Sequence, residues 1–124
     1  IAAIRAHRRI VIYGDYDVDG VTTSAMLWRC LTLAGATVDF YVPHRLEEGY
    51  GLIAEAIDKL ADDGAQVLVT VDCGVTAVEA VARARARGMT VVVTDHHAAD
   101  GPRPTDCAIG HPGLGEPGYG NPTP

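Results

Sequence analysis

The stretch Ile10–Gly20 reads IVIYGDYDVDG, and it joins an apolar, largely β-branched run to three aspartates at alternate positions. A short run of this kind is typical of a buried strand. Asp15, Asp17 and Asp19 repel one another when their carboxylates are close, so a bound cation is expected to hold them together. The stretch therefore predicts a buried strand that ends in a cation site, and a divalent metal is the best candidate.

Three further apolar runs predict strands of the same kind, and segments with helical periodicity separate them. The strands are predicted at Val38–Val42, Val67–Val71 and Thr90–Thr94. The first two helices are predicted at Val21–Ala34, which carries Val21, Ala25, Trp28 and Leu31 on one face, and at Leu52–Asp63. A third helix is predicted to begin at the capping box Thr76–Glu79. Predicted strands and helices therefore alternate along most of the chain.

A glycine follows each predicted helix, at Gly35, Gly64 and Gly88, where a left-handed residue is expected to end it. The order β-α-β-α-β-α-β with short loops predicts an α/β fold, with helices on both faces of a parallel sheet. With a short strand at Cys107–Ile109, the sheet has about five strands. We expect one domain over residues 1–124, with the patterned core in 1–97 and a Gly- and Pro-rich loop in 98–124.

The composition excludes several classes of protein. The chain has 124 residues and a formal net charge of -6, which argues against a basic surface that binds nucleic acid by itself. Its three cysteines lack C-x-x-C spacing, so neither a disulfide framework nor a zinc knuckle is indicated. No apolar stretch is long enough to cross a membrane. We therefore expect a cytoplasmic protein.

A second polar cluster follows the predicted fourth strand, where Asp95, His96 and His97 are consecutive. Asp72 follows the predicted third strand in the same way. Ligands of open parallel sheets bind beyond the carboxyl ends of the strands, so these residues should converge with the first aspartates. Carboxylates with one or two imidazoles suit Mn²⁺ or Mg²⁺ better than zinc. A calcium-binding loop is excluded, since its twelfth position, which requires Glu, is Met26.

The segment 43–52, PHRLEEGYGL, joins the second strand to the second helix and has two interpretations. Gly49 and Gly51 would let the backbone approach a ligand, and Arg45 would pair with a phosphate. Alternatively, the segment is a solvated turn that ends in an acidic helix start. The segment alone favours neither interpretation.

Three motifs together resemble those of the DHH phosphoesterase superfamily. They are Gly14–Gly20 (GDYDVDG), Val71–Gly74 (VDCG) and Thr94–His97 (TDHH). The string Arg45–Leu52, RLEEGYGL, is similar to the RecJ branch of 5′-to-3′ exonucleases specific for single-stranded DNA. The resemblance covers roughly residues 4–109 and implies a Rossmann-like domain that works in DNA repair and recombination.

The resemblance also implies roles for individual residues. Asp17, Asp19, Asp72 and His96 match metal-ligand positions, with Asp72 bridging two Mn²⁺ or Mg²⁺ ions. Asp15 and Asp95 match positions that support the metal and the chemistry, and His97 matches a contact to the scissile phosphate. With His97, the substrate-binding set comprises Arg45, Gly49 and Tyr50. The implied reaction is two-metal hydrolysis, in which an activated water attacks phosphorus.

Two other functions are possible. One is a phosphoesterase for small substrates such as short oligoribonucleotides, cyclic dinucleotides or pyrophosphate; the other is a non-catalytic scaffold of the same superfamily. A nucleotide-binding α/β module is disfavoured, because no P-loop string is present and the G-x-G-x-x-G string at Gly113–Gly118 lies in the Gly- and Pro-rich loop rather than between a predicted strand and a predicted helix. RecJ proteins usually read AIVNP after the third motif, whereas Ala108–Pro112 reads AIGHP. We expect the chain to be the first part of a longer catalytic core, bound to single-stranded DNA only in the full-length protein and inactive alone.

Overall fold

The computed structural model describes residues 2–14, 17–42, 52–96 and 102–112, and its described strands form one parallel sheet. The strands are β1 (Arg9–Gly14), β2 (Thr37–Tyr41), β3 (Val67–Val71), β4 (Thr90–Thr94) and β5 (Ala108–Gly110). Their order across the sheet is β2-β1-β3-β4-β5, and every neighbouring pair is parallel. The α/β class and the sheet of about five strands are therefore confirmed.

The described helices are α1 (Ala2–Arg5), α2 (Val18–Leu33), α3 (Ala54–Asp62) and α4 (Val78–Ala86). Helix α2 begins three residues before its predicted start, and α3 begins two residues after its own. Gly35, Gly64 and Gly88 follow α2, α3 and α4 with φ of 89°, 93° and 85°. The predicted left-handed ends are thus confirmed.

The predicted capping box at Thr76–Glu79 is wrong. The N-cap of α4 is Ala77, which makes no side-chain capping hydrogen bond. A turn precedes the helix, in which the Ala77 N–H donates to the Gly74 carbonyl at 3.1 Å, and this turn moves the first helical residue past Thr76. The capped helix is instead α2, where the Asp17 carboxylate accepts the Gly20 N–H at 2.8 Å.

The two faces of the sheet are covered differently. Helices α3 and α4 bury one face in a continuous core that includes Tyr13, Leu68 and Val91. Arg83 and Arg87 on α4 also form ion pairs with Asp58 and Asp62 on α3, at the solvent side of this layer. This layer fixes the positions of β1, β3 and β4, the strands that lead into the aspartate and histidine motifs.

Helix α2 packs on the opposite face through small residues. Its buried residues are Gly20 and Ser24, and a Cβ added to Gly14 on β1 would lie 1.9 Å from Ser24 Oγ. The apolar face described from the sequence is only partly covered, since Val21 is 47% and Trp28 38% exposed. Close approach of α2 to β1 therefore depends on glycine and serine, which the hydrophobic pattern does not reveal.

Candidate metal site

The strand order places the candidate site at a topological switch point. In the order β2-β1-β3-β4-β5, the chain continues from β1 outward in one direction to β2 and in the other to β3. The crevice between the carboxyl ends of such strands is the usual ligand site of open α/β sheets. Asp17 and Asp19 follow β1, Asp72 follows β3, and Asp95 and His96 follow β4. Residues from three chain segments therefore meet at one crevice.

The turn after β3 holds Asp72 in an uncommon conformation. Asp72 has φ of 60° and Gly74 has φ of 103°, so the chain twice enters the left-handed region within three residues. The Thr70 hydroxyl donates to the Cys73 carbonyl at 2.8 Å, and the Thr94 hydroxyl donates to the Thr70 carbonyl at 2.6 Å. A non-glycine residue in this region costs backbone free energy, and such residues concentrate at functional sites.

Three potential ligands lie together above this turn. One ligand atom each from Asp19, Asp72 and His96 lies within 4.8 Å of the other two. His96 Nε2 is 2.6 Å from Asp72 Oδ1. Asp72 is 7% exposed, whereas Asp19 and His96 are exposed. The group therefore has a buried carboxylate at its base and an open side toward solvent, as a site needs if it is to bind both an ion and a substrate.

The electrostatics of Asp72 favour an added cation. Burial is the largest cause that raises the pKa of its carboxyl group, and the neighbouring Asp17 carboxyl raises it further, while His96 opposes both. An ionised Asp72 is thus destabilised by lost hydration and by a nearby like charge. A divalent ion would relieve both effects. The donor set of two carboxylates and an imidazole fits Mn²⁺ or Mg²⁺.

Asp95 supports this group through the backbone. Its Oδ2 accepts the Val75 N–H at 3.1 Å, and its Oδ1 accepts the His96 N–H at 2.7 Å. The side chain is buried, with 8% exposed. Asp95 therefore joins the end of β4 to the turn that carries Asp72, and it fixes the backbone from which the His96 imidazole extends.

Asp95→Asn should weaken Mn²⁺ binding by about tenfold to a hundredfold, the usual loss when an outer partner of a ligand is removed. In asparagine, an amide NH₂ group replaces one of the two carboxylate oxygens that accept hydrogen bonds. That NH₂ donor would then face the backbone N–H donor of Val75 or of His96, and one hydrogen bond would be lost. Isothermal titration with Mn²⁺ measures the loss. Asp63→Asn is the matched control, because Asp63 is exposed beyond the amino end of β3. Equal Mn²⁺ affinities for Asp95→Asn and the unaltered chain would contradict the supporting role.

A cavity of about 780 Å³ opens beside the cluster, within the size range of small-molecule sites. Asp19 and Thr23 line it from α2, and residues 109–112 line it from the end of β5. Thr23 and His111 were not predicted from the sequence. Thr23 stands one helical turn after Asp19, and His111 directly follows a parallel strand, so both had a positional signal.

Several residues of the predicted site lie outside the described residues. These are Asp15, Arg45, Gly49, Tyr50 and His97. Cys30, Cys73 and Cys107 form no disulfide; Cys73 is buried, and its thiol donates to the Tyr13 carbonyl at 3.9 Å.

The basic residues whose contacts are described lie away from the cavity. Arg8 and Arg9 donate to Gln66, Thr90, Asp63 and Asp39 near the amino ends of the strands. Arg83 and Arg87 are engaged in the ion pairs between α3 and α4. Among the described residues that line the cavity, none is Lys or Arg.

No described helix is long and apolar enough to cross a membrane.

Comparison with known proteins agrees with the motifs. Residues 9–114 match the DHH family, N-terminal domain. The chain is 41% identical over 110 residues to the single-stranded-DNA-specific exonuclease RecJ of Bacillus subtilis, covering 89% of this chain and 14% of that protein. It is 41% identical over 113 residues to RecJ of Escherichia coli, covering 90% of this chain and 20% of that protein.

Two solved structures share the fold. A crystal structure of exonuclease RecJ bound to manganese superposes with a TM-score of 0.84 at 40% identity, over 91% of this chain and 29% of that one. RecJ from Thermus thermophilus in complex with Mn²⁺ superposes with a TM-score of 0.80 at 32% identity, over 97% of this chain and 16% of that one. The chain thus spans less than a third of each of these relatives.

Proposed function

Because the chain belongs to the DHH family, we propose that it forms the metal-binding part of a phosphodiesterase that hydrolyses single-stranded DNA from the 5′ end. The observation that carries the proposal is the convergence of Asp19, Asp72 and His96 at the switch point of the sheet. The similarity to RecJ exonucleases and to RecJ structures that contain Mn²⁺ supports the choice of substrate and of metal. Roles in DNA repair and recombination and a cytoplasmic location belong to the same proposal.

The proposed ligands of one or two Mn²⁺ or Mg²⁺ ions are Asp17, Asp19, Asp72 and His96, with Asp15 supporting them. Divalent ions held there would polarise the phosphodiester and activate water for attack. Asp72 is the proposed bridge, because its buried carboxylate interacts with both Asp17 and His96. Asp95 orients His96, and His97, Arg45, Gly49 and Tyr50 are proposed to contact the strand.

The alternative substrates differ in length, and this difference tests the proposal. The full-length protein should degrade a 5′-labelled single strand of about thirty nucleotides in Mn²⁺ and leave the matching duplex intact. Dinucleotides, cyclic dinucleotides and pyrophosphate serve as competing substrates in the same assay. Faster turnover of a small substrate than of the single strand would favour the small-substrate phosphoesterase, and no turnover of any of them would favour the scaffold.

We further propose that the 124 residues alone bind single-stranded DNA weakly and hydrolyse it poorly. Affinity for nucleic acid rests largely on Lys and Arg contacts to phosphates. The chain has a net charge of -6. Of its described arginines, Arg9 at the start of β1 donates to the Asp63 carbonyl, and Arg83 on α4 forms an ion pair with Asp58. Fluorescence anisotropy with a labelled oligonucleotide measures the affinity. Sub-micromolar binding with steady loss of 5′ nucleotides would contradict this part of the proposal.

A further inference from the structure

His111 lines the cavity from the end of β5. It directly follows β5, and the Gly110 carbonyl before it accepts the Asp95 N–H at 3.1 Å. This bond continues the β4–β5 pairing past the last strand residue, which fixes the backbone of His111 against the segment that carries His96. The residue is half-buried and lines the same cavity as Asp19, Asp72 and His96.

The charges around the cavity show what His111 can contribute. The described lining contains three carboxylates, from Asp19, Asp72 and Asp95, and no Lys or Arg. His96 already lies against Asp72, with 2.6 Å between Nε2 and Oδ1. His111 is a half-buried residue of the same lining, and an imidazole N–H can donate to an anion.

We propose that His111 binds a phosphate of the nucleic-acid strand in this cavity, next to the phosphate that is cleaved. This inference rests on the proposed function, because it assumes that a phosphodiester enters between α2 and β5. His111 is outside the group of three ligand atoms, so it would contact substrate without holding the ion.

His111→Leu and His111→Gln in the full-length protein form the test. Leucine has a similar size but no N–H group, whereas glutamine keeps a hydrogen-bond donor in its amide NH₂ group. A hydrogen bond to a charged group is lost in the first variant, so KM for a single-stranded oligonucleotide should rise about tenfold, while kcat falls less than about threefold. The KM of His111→Gln should stay within about threefold of the unaltered protein. Mn²⁺ affinity should be the same in all three proteins.

Oligonucleotides with a single methylphosphonate, which removes the charge of one phosphate, identify the contact. At one position in the oligonucleotide, the methylphosphonate should weaken binding by the unaltered protein about tenfold. It should not weaken binding by His111→Leu, because the two changes remove the same interaction. Anisotropy in Ca²⁺ measures binding without requiring hydrolysis, so the contact is tested even where the proposed reaction fails. Equal methylphosphonate effects in both proteins at every position, or an unchanged KM in His111→Leu, would overturn the inference.

Discussion

Asp72→Asn is expected to reduce Mn²⁺-dependent hydrolysis by the full-length protein at least about a thousandfold, equivalent to about 4 kcal/mol of barrier. Its buried carboxylate is the proposed bridge between ions, and an amide cannot supply that charge. Asparagine is the informative substitution, because Asp72 has φ of 60° and asparagine tolerates the left-handed region far better than alanine. An initial-rate assay measures the loss. Retention of activity within about tenfold would contradict the bridging role.

The same variant should raise the melting temperature of the metal-free chain. The pKa of Asp72 is raised by burial and by Asp17, so the folded chain binds that proton more tightly than the unfolded chain does. The resulting stability is fully present below the unfolded pKa and is lost as pH rises through the folded pKa. The asparagine side chain mimics the protonated form at every pH. The difference in melting temperature between the variant and the unaltered chain should therefore grow as pH rises from the unfolded pKa of Asp72 to its folded pKa, and level off above the folded pKa. Calorimetry at several pH values measures it.

Asp106→Asn is the matched control for both measurements. Asp106 also has a left-handed conformation, with φ of 56°, but it is exposed and precedes β5 rather than following a strand. The substitution should change neither the hydrolysis rate nor the melting temperature appreciably. A rise in melting temperature in Asp106→Asn equal to that in Asp72→Asn would assign the effect to backbone conformation instead of charge.

Gly14→Ala should destabilise the chain by about 1–3 kcal/mol, the usual cost of overpacking, and should also weaken Mn²⁺ binding. The added Cβ would lie 1.9 Å from Ser24 Oγ and 3.0 Å from the Gly20 carbonyl oxygen. Relief of these contacts requires a new Ser24 rotamer together with a small shift of α2 away from β1, and Asp19 is in the first turn of that helix. Chemical denaturation and Mn²⁺ titration measure the two effects.

Ser24→Ala combined with Gly14→Ala should restore part of the lost stability. The substitution removes the nearest clashing atom, while Ser24 Cβ at 3.2 Å and the Gly20 carbonyl remain. Gly110→Ala is the control for an added methyl group at a strand end, since its Cβ would meet Thr94 only at 3.8 Å. A Gly14→Ala chain as stable as the Gly110→Ala chain would show that α2 does not depend on this contact.

The sequence predicts most of the fold because its local signals agree with its tertiary structure. β-Branched runs became β1, β3 and β4, and glycines with positive φ end the helices as expected. The packing of α2 was not predictable from hydrophobic periodicity, because Gly20 and Ser24 approach Gly14 while Val21 remains 47% exposed. The capping box failed because a turn between Gly74 and Ala77 uses the residues that the motif required.

The part of the candidate site that lies in the sequence motifs and at the predicted strand ends was predictable. Asp19, Asp72 and His96 were expected to converge, and their ligand atoms do lie close together. His111 was not predicted as a site residue because it belongs to none of the three motifs, although it follows a strand whose pairing with β4 brings it to the cavity. The positive φ of Asp72 had no sequence signal, since aspartate also occupies ordinary strand ends.

Anomalous diffraction at the manganese absorption edge, from crystals of this chain grown with Mn²⁺, locates the bound ion and so tests whether this cluster is a metal site. We expect a peak about 2 Å from ligand atoms of Asp19, Asp72 and His96, the bond length of small divalent ions. Asp72 Oδ1 and His96 Nε2, now 2.6 Å apart, should then separate to admit the ion. Ordered Mn²⁺ found only elsewhere, with those two atoms still in contact, would contradict the assignment of this cluster as a metal site.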